Sequence, residues 1–213
     1  MKPGIRTRPG LIVFDLDGTL VDSRRDLAAA ANRLIEECGG EPLDEARIGR
    51  MVGSGAAVLV QRALAAGGVR EHPAGAVERY LRIYELGLLD HTRVYDGVAE
   101  LLDSCAKICP LAVLTNKPRT HTRKILSGLD IEARFVEVLG GDGPYPLKPE
   151  PAGFEHLARS CGVTPAHALL VGDSAIDLET AERAKTGFCF ARYGFGAHSV
   201  PPELARRCAL VVD

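Results

Sequence analysis

Asp15 and Asp17 stand one residue apart where the apolar run Leu11–Phe14 gives way to Gly18-Thr19, in the stretch LIVFDLDGTLVDS. Two carboxylates at the end of a buried strand are costly unless something compensates them, because burial disfavours their charged forms. Further along, Thr115-Asn116 follows the apolar run LAVL, Lys148 stands in LKPEP, and Asp173 follows ALLVG, with Asp177 four residues beyond it. In chain order the types are a carboxylate pair, a hydroxyl, an amine and a carboxylate. Ligands of a parallel sheet gather at the carboxyl ends of its strands, and these are the types a phosphate site uses there.

Each group also has a plainer reading. Asp-Gly after an apolar run is a common turn. Thr115-Asn116 can cap a helix that has Pro118 at its first position. Lys148 before Pro149 reads as extended and, ordinarily, as a solvated surface lysine. Ser174-x-x-Asp177 fits a capping box, which accounts for Asp177 without a metal. All four in this order outweigh the separate readings and point to catalysis.

Apolar runs at Leu11–Phe14, Leu111–Leu114 and residues 135–139, 168–171, 188–191 and 209–212 alternate with helical patterns. This predicts an α/β fold, a Rossmann-like parallel sheet covered on both faces. The interval between the first two runs far exceeds the dozen or so residues that a crossover needs. Within it, Ser23 is a candidate N-cap with Asp26 three residues on, followed by Leu27, Ala30, Ala31, Leu34 and Ile35 at helical spacing. Residues 39–42 (GGEP) end that helix, and residues 56–66 and 73–88 supply two more. An α-helical cap is therefore expected at residues 23–90, with 1–22 and 91–213 forming the core and the first nine residues a loose lead-in.

The 213 residues suit one domain carrying an insertion. With 26 basic and 28 acidic residues, the net charge of −2 gives no electrostatic reason to expect nucleic acid or an anionic membrane. No apolar run approaches the roughly 18 residues of a membrane helix. The six cysteines form no Cys-x-x-Cys pair, and MKPGIRTRPG lacks the apolar core of a secretion signal. Reduced thiols in a cytoplasmic protein are expected, with a small soluble metabolite as partner and a monomer or homodimer as the assembly.

The stretches FDLDGTLVDS, LTNK, GGD with LKPEP, and GDSAID, in that order, resemble the haloacid dehalogenase superfamily. Within it, the resemblance is to the phosphoglycolate phosphatase-like branch with a helical cap. Residues 51–64 (MVGSGAAVLVQRAL) are similar to the stretch those phosphatases carry after the first cap helix. The resemblance implies a magnesium-dependent phosphatase that hydrolyses a small phosphate monoester, foremost phosphoglycolate, through an aspartyl-phosphate. A phosphate dianion beside several carboxylates needs a divalent cation, and Mg2+ prefers such oxygen ligands. By the resemblance, Asp15 and Asp173 supply side-chain ligands, Asp17 its backbone carbonyl, and Asp177 orders metal-bound water.

Asp15 is then the nucleophile and Asp17 the general acid and base, a role that calls for a raised Asp17 pKa, as in one member of a close carboxylate pair. Thr115 and the Asn116 N–H hold a phosphoryl oxygen, Lys148 offsets negative charge, and Gly18 permits the turn between the two acids. In the cap, the loop VGSG of residues 52–55, with Gly53, opens a helix and can offer backbone N–H groups to a substrate carboxylate, and Arg62 lies two turns along that helix. Arg24 and His91, near the cap's two entry points, are further candidates. Pyrophosphate, sugar-phosphate and nucleotide substrates share these motifs, as does a phosphosugar mutase. Dehalogenation does not use a second acid, so Asp17 argues against it. Every expected catalytic type is present, which argues against a non-catalytic binding module.

Overall fold

A computed structural model describes residues 8–70, 73–206 and 208–213. Most of the expected lead-in, residues 1–7, lies outside them. In chain order the first elements are β1 (Leu11–Phe14), β2 (Val21–Asp22), α1 (Arg24–Glu37), α2 (Glu45–Gly49), α3 (Ala56–Ala66), α4 (Ala76–Leu86) and β3 (Arg93–Val94). There follow α5 (Val98–Cys105), β4 (Leu111–Leu114), α6 (Arg119–Gly128), β5 (Glu137–Leu139), α7 (Ala152–Ser160) and β6 (Ala168–Gly172). The last are α8 (Ala175–Ala184), β7 (Gly187–Ala191), α9 (Pro202–Ala205) and β8 (Leu210–Val212).

The six apolar runs all become strands of one parallel sheet, in the order β5–β4–β1–β6–β7–β8. Phe14 lies opposite Val113 of β4 on one side and Val171 of β6 on the other. Asp15 is therefore level with Leu114 and Gly172, and Thr115 and Asp173 follow one residue later, a rise of about 3.3 Å. Register alone brings three separated motifs to one edge. The expected start of β5 at Phe135 moves to Glu137, because a tight turn at Glu132–Arg134 precedes it and Phe135 instead meets Phe14 edge-on, 6.3 Å between centroids.

The strands β1, β4 and β6 are buried along their whole length, which explains their continuous apolar sequences. Leu11, Val13 and Leu170 pack with Phe154 and Leu157 of α7 and Leu178 of α8. From the opposite face, Ile12, Phe14 and Val113 pack with Leu102 of α5 and Ile125 and Leu126 of α6. Each such side chain contributes about 1.5–3 kcal/mol by leaving water. That second cluster continues into the inserted helices through Leu34, Ile35, Leu64, Tyr80 and Tyr84.

Strands β2 and β3 pair antiparallel and form a narrow two-stranded ribbon at the two ends of the insertion. Helix α4 is shorter than the 73–88 pattern, starting after left-handed Gly75. The five-residue α2, capped by Asp44 accepting from the Arg47 N–H at 2.6 Å, is too short to leave a periodic pattern. Ser23 does occupy the N-cap position of α1, but its side chain makes no cap bond; its hydroxyl donates to Asp17 Oδ1 at 2.5 Å. The six cysteines are free thiols. Among the described residues, no helix is long and apolar enough to cross a membrane.

Asp26 likewise leaves the capping role. Its buried carboxylate accepts from the Thr92 N–H and hydroxyl, both at 2.7 Å, and from the His91 N–H and Nδ1, tying α1 to the returning chain. Burial alone would raise its pKa, but the hydrogen bonds from Thr92 and His91 overcome that and hold it below the ordinary carboxylate value. Asp26→Ala is expected to destabilise the protein by about 2–4 kcal/mol at pH 7, since several buried donors lose a charged acceptor. The lowered folded pKa means this contribution is present above about pH 4 and is lost as pH falls through the folded value. Urea unfolding at pH 7 and pH 3 should therefore show the variant and parent converging in acid.

Candidate active site

The Asp15 N–H donates to the Val171 carbonyl at 2.9 Å, continuing the β1–β6 pairing one residue past the strand, so the position of this acid is set by the sheet. Lys148 Nζ lies 2.8 Å from Asp15 Oδ1 and 2.6 Å from Asp177 Oδ1. The lysine is buried, contrary to the surface reading, and its peptide bond to Pro149 is cis. Asn116 holds its backbone from both sides: Oδ1 accepts from the Lys148 N–H at 2.8 Å and Nδ2 donates to the Lys148 carbonyl at 2.9 Å. The same Nδ2 donates to the Gly53 carbonyl at 2.9 Å, so Asn116 also touches the inserted helices.

The Ser174–Asp177 capping box is present, with Asp177 Oδ2 accepting from the Ser174 N–H and hydroxyl. Its other oxygen receives Lys148, so the capping carboxylate also pairs with the buried amine. Asp173 Oδ2 accepts from the Gly196 N–H at 2.7 Å. One ligand oxygen each of Asp15, Asp173 and Asp177 lies within 4.8 Å of the others, a spacing that can hold a cation. Asp15 Oδ2 and Asp173 Oδ1 have no hydrogen-bond partner among the described residues, whereas both Asp177 oxygens are engaged. The donor set fits a hard divalent ion, with Asp15 and Asp173 as the side chains free to ligate it.

Charge is out of balance at this edge. Burial, then the neighbouring Asp177, push the Asp15 pKa up to about 7 in spite of Lys148. Burial, with Asp177 and Asp15, also drives Asp173 well above the carboxylate range. For Lys148, burial opposes the charge, but Asp15 and Asp177 outweigh it and raise its pKa. Three acids share one ammonium, and a bound cation would relieve the excess.

Asp17 does not lie in this cluster. Both its oxygens are 3.0 Å from Lys117 Nζ, which also donates to the Tyr84 hydroxyl at 2.8 Å. Lys117 belongs to the LTNK stretch but carries no role in the sequence reading. Thr115 Oγ1 accepts from the Lys117 N–H at 3.3 Å, leaving the hydroxyl proton free to donate. Pro118 precedes the first residue of α6 instead of occupying it, and Asp142 of the GGD stretch accepts from the Arg119 N–H at 2.7 Å.

Between the inserted helices and the sheet lies a cavity of about 50 Å³, lined by Asp15, Asp17, Gly53, Thr115, Asn116 and Lys117 together with Leu59, Tyr80, Tyr84 and His121. Gly53 thus joins the core groups, although its recorded contact is made by its carbonyl. Arg62 is exposed on α3 and does not line the cavity. Arg24 pairs with Asp22 and Glu45, and His91 with Asp26, also away from it. The aromatic wall was not expected: Tyr80 and Tyr84 at i,i+4 spacing match an ordinary core stripe.

The profile of the haloacid dehalogenase-like hydrolases matches residues 12–191, from β1 to β7, and the chain belongs to that family. Among its relatives, the proteins named phosphoglycolate phosphatase from Rhodospirillum rubrum and Cereibacter sphaeroides are each 40% identical to it. The matches cover 90% and 91% of this chain and 83% and 88% of theirs. The crystal structure of a predicted phosphoglycolate phosphatase from Haemophilus somnus superposes with a TM-score of 0.88 at 33% identity, covering 98% of this chain and 95% of that one.

Gly18 has φ +88°, and a Cβ there would stand 2.1 Å from Asp173 Oδ2. Gly18→Ala is expected to cost about 1–2 kcal/mol in backbone conformation and to displace Asp173. Its affinity for Mg2+ by calorimetric titration should fall about 10–100-fold; unchanged affinity would separate Asp173 from the cation site.

Proposed function

We propose that this protein is a magnesium-dependent phosphatase for a small phosphate monoester, phosphoglycolate foremost, acting through an aspartyl-phosphate on Asp15. The observation that carries the reading is the convergence of Asp15, Asp173, Asp177 and Lys148 at one sheet edge. The names of the relatives supply the substrate class. The cavity of about 50 Å³ has room for a few waters or a short acid.

When bound, Mg2+ supplies positive charge that offsets the carboxylates and the phosphoryl oxygens. Lys148 holds Asp15 Oδ1, leaving Oδ2 to attack phosphorus in line as the bond to the leaving oxygen breaks. Thr115 and the Asn116 N–H steady the phosphoryl oxygens. Asp17, beyond the Gly18 turn and fixed by Ser23 and Lys117, gives the departing oxygen its proton. It then takes a proton from the water that attacks the same phosphorus, releasing phosphate and restoring the Asp15 carboxylate. The helices between β2 and β3, the cap of residues 23–90, shield the site during transfer.

Asp15→Asn should abolish Mg2+-dependent phosphate release from phosphoglycolate, a loss of at least about 10⁴-fold. Asp17→Asn should slow both formation and breakdown of the intermediate in rapid-quench measurements, by about 10²–10⁴-fold each. A parent-like rate in either variant removes that residue from the mechanism.

Cation binding requires the Asp15 carboxylate, whose pKa without a cation is about 7. Mg2+ binding at pH 6.5 should therefore release protons from Asp15 and Asp173, and the apparent affinity should fall at least about tenfold per unit below pH 7. Calorimetry in buffers of different ionisation enthalpy measures both. Affinity independent of pH between 5.5 and 7 would exclude Asp15 as the titrating ligand.

A further inference from the structure

Two residues that line the cavity carry buried polar atoms with no use in the reaction above. Tyr80 is 1% exposed, and its hydroxyl has no hydrogen-bond partner among the described residues. His121 places Nε2 3.3 Å from the Leu81 carbonyl, while its buried Nδ1 is unpartnered among the described residues. A polar atom left unpaired in the interior costs about 1–3 kcal/mol, so two on one wall call for a ligand. The rings are fixed: Tyr80 and Tyr84 lie 6.0 Å apart and 3° from parallel, and His121 stacks on the other ring at 6.0 Å and 20°.

Among the described residues, Lys117 is the only lysine or arginine lining this cavity. It spends two contacts on one carboxylate, Asp17, so one N–H can turn to a ligand while the pair survives. Its place beside the proton donor puts it on the leaving-group side, away from Lys148 and the phosphoryl site. Burial raises the Tyr80 pKa, which keeps the phenol a donor at neutral pH. Burial also lowers the His121 pKa, and an anion at Nδ1 would favour the doubly protonated ring, with Nε2–H still on Leu81. An ammonium, a phenol and an imidazole edge around so small a space match a carboxylate.

We propose that Tyr80, His121 and Lys117 form the subsite for a carboxylate carried by the leaving group, so that the protein prefers a phosphorylated small hydroxy-acid to an equally small uncharged ester. This rests on the phosphatase reading for its orientation, but its test does not need turnover. The probes are 3-phosphonopropionate, in which a methylene replaces the ester oxygen of phosphoglycolate, and propylphosphonate, which lacks the carboxylate. With Mg2+ present, the parent protein should bind the first at least about tenfold more tightly than the second.

Tyr80→Phe keeps the ring stack and removes only the hydroxyl. It should weaken 3-phosphonopropionate at least about fivefold and leave propylphosphonate within about twofold. His121→Phe should give the same split, and it carries the test if Tyr80→Phe fails to fold. In turnover, Tyr80→Phe should raise KM for phosphoglycolate with little change in kcat, and leave ethyl phosphate hydrolysis unaffected. Equal binding of the two phosphonates by the parent overturns the subsite, as does discrimination that survives both substitutions or an equal loss for both ligands. Discrimination without phosphate release from phosphoglycolate would instead overturn the phosphatase reading and leave the subsite standing.

Discussion

One buried ammonium between two buried carboxylates is the constraint from which the rest of this structure follows. Lys148 cannot leave its charge unpaired in the interior, and it lies 2.8 Å from Asp15 and 2.6 Å from Asp177. With Asp173 beside them, the group remains short of positive charge, a deficit that a bound cation would make up. Such a cluster does not stabilise the fold cheaply, so it has to be held by parts that are stable on other grounds. The continuous apolar strands β1 and β6 fix Asp15 and Asp173 through sheet register, and α8 fixes Asp177 through its own cap.

The second ion pair, Lys117 with Asp17, divides the chemistry in space. In the proposed mechanism, one lysine serves the side where phosphorus is attacked, and the other serves the side where the alcohol departs. Gly18 makes this division possible, since the left-handed turn sends two acids separated by a single residue toward different amines.

The strands and the groups at their ends were legible because each motif follows an apolar run, and parallel register turns chain order into proximity. Lys148 and Asp177 were legible as a set and misleading one at a time: a lysine before proline looks solvated, and a carboxylate three residues after serine looks like a cap. Lys117, Tyr80, Tyr84 and His121 were not legible, because their meeting depends on how α4 packs against α6 across 40 residues of chain between Leu81 and His121. Arg62 shows the opposite error. The buried face of α3, at Leu59, Val60, Ala63 and Leu64, is itself a helical repeat that leaves position 62 outward. Ser23 and Asp26 have capping chemistry, but long-range partners claimed their side chains.

Asn116 joins two things that could have been separate. Its single amide grips the main chain of the buried lysine and, through the same nitrogen, the Gly53 carbonyl of the helical layer. Any movement of that layer away from the sheet would have to break the second grip, at the same amide that braces the Lys148 backbone. The buried amine beside Asp15 is thus tied, through one side chain, to the seating of the inserted helices.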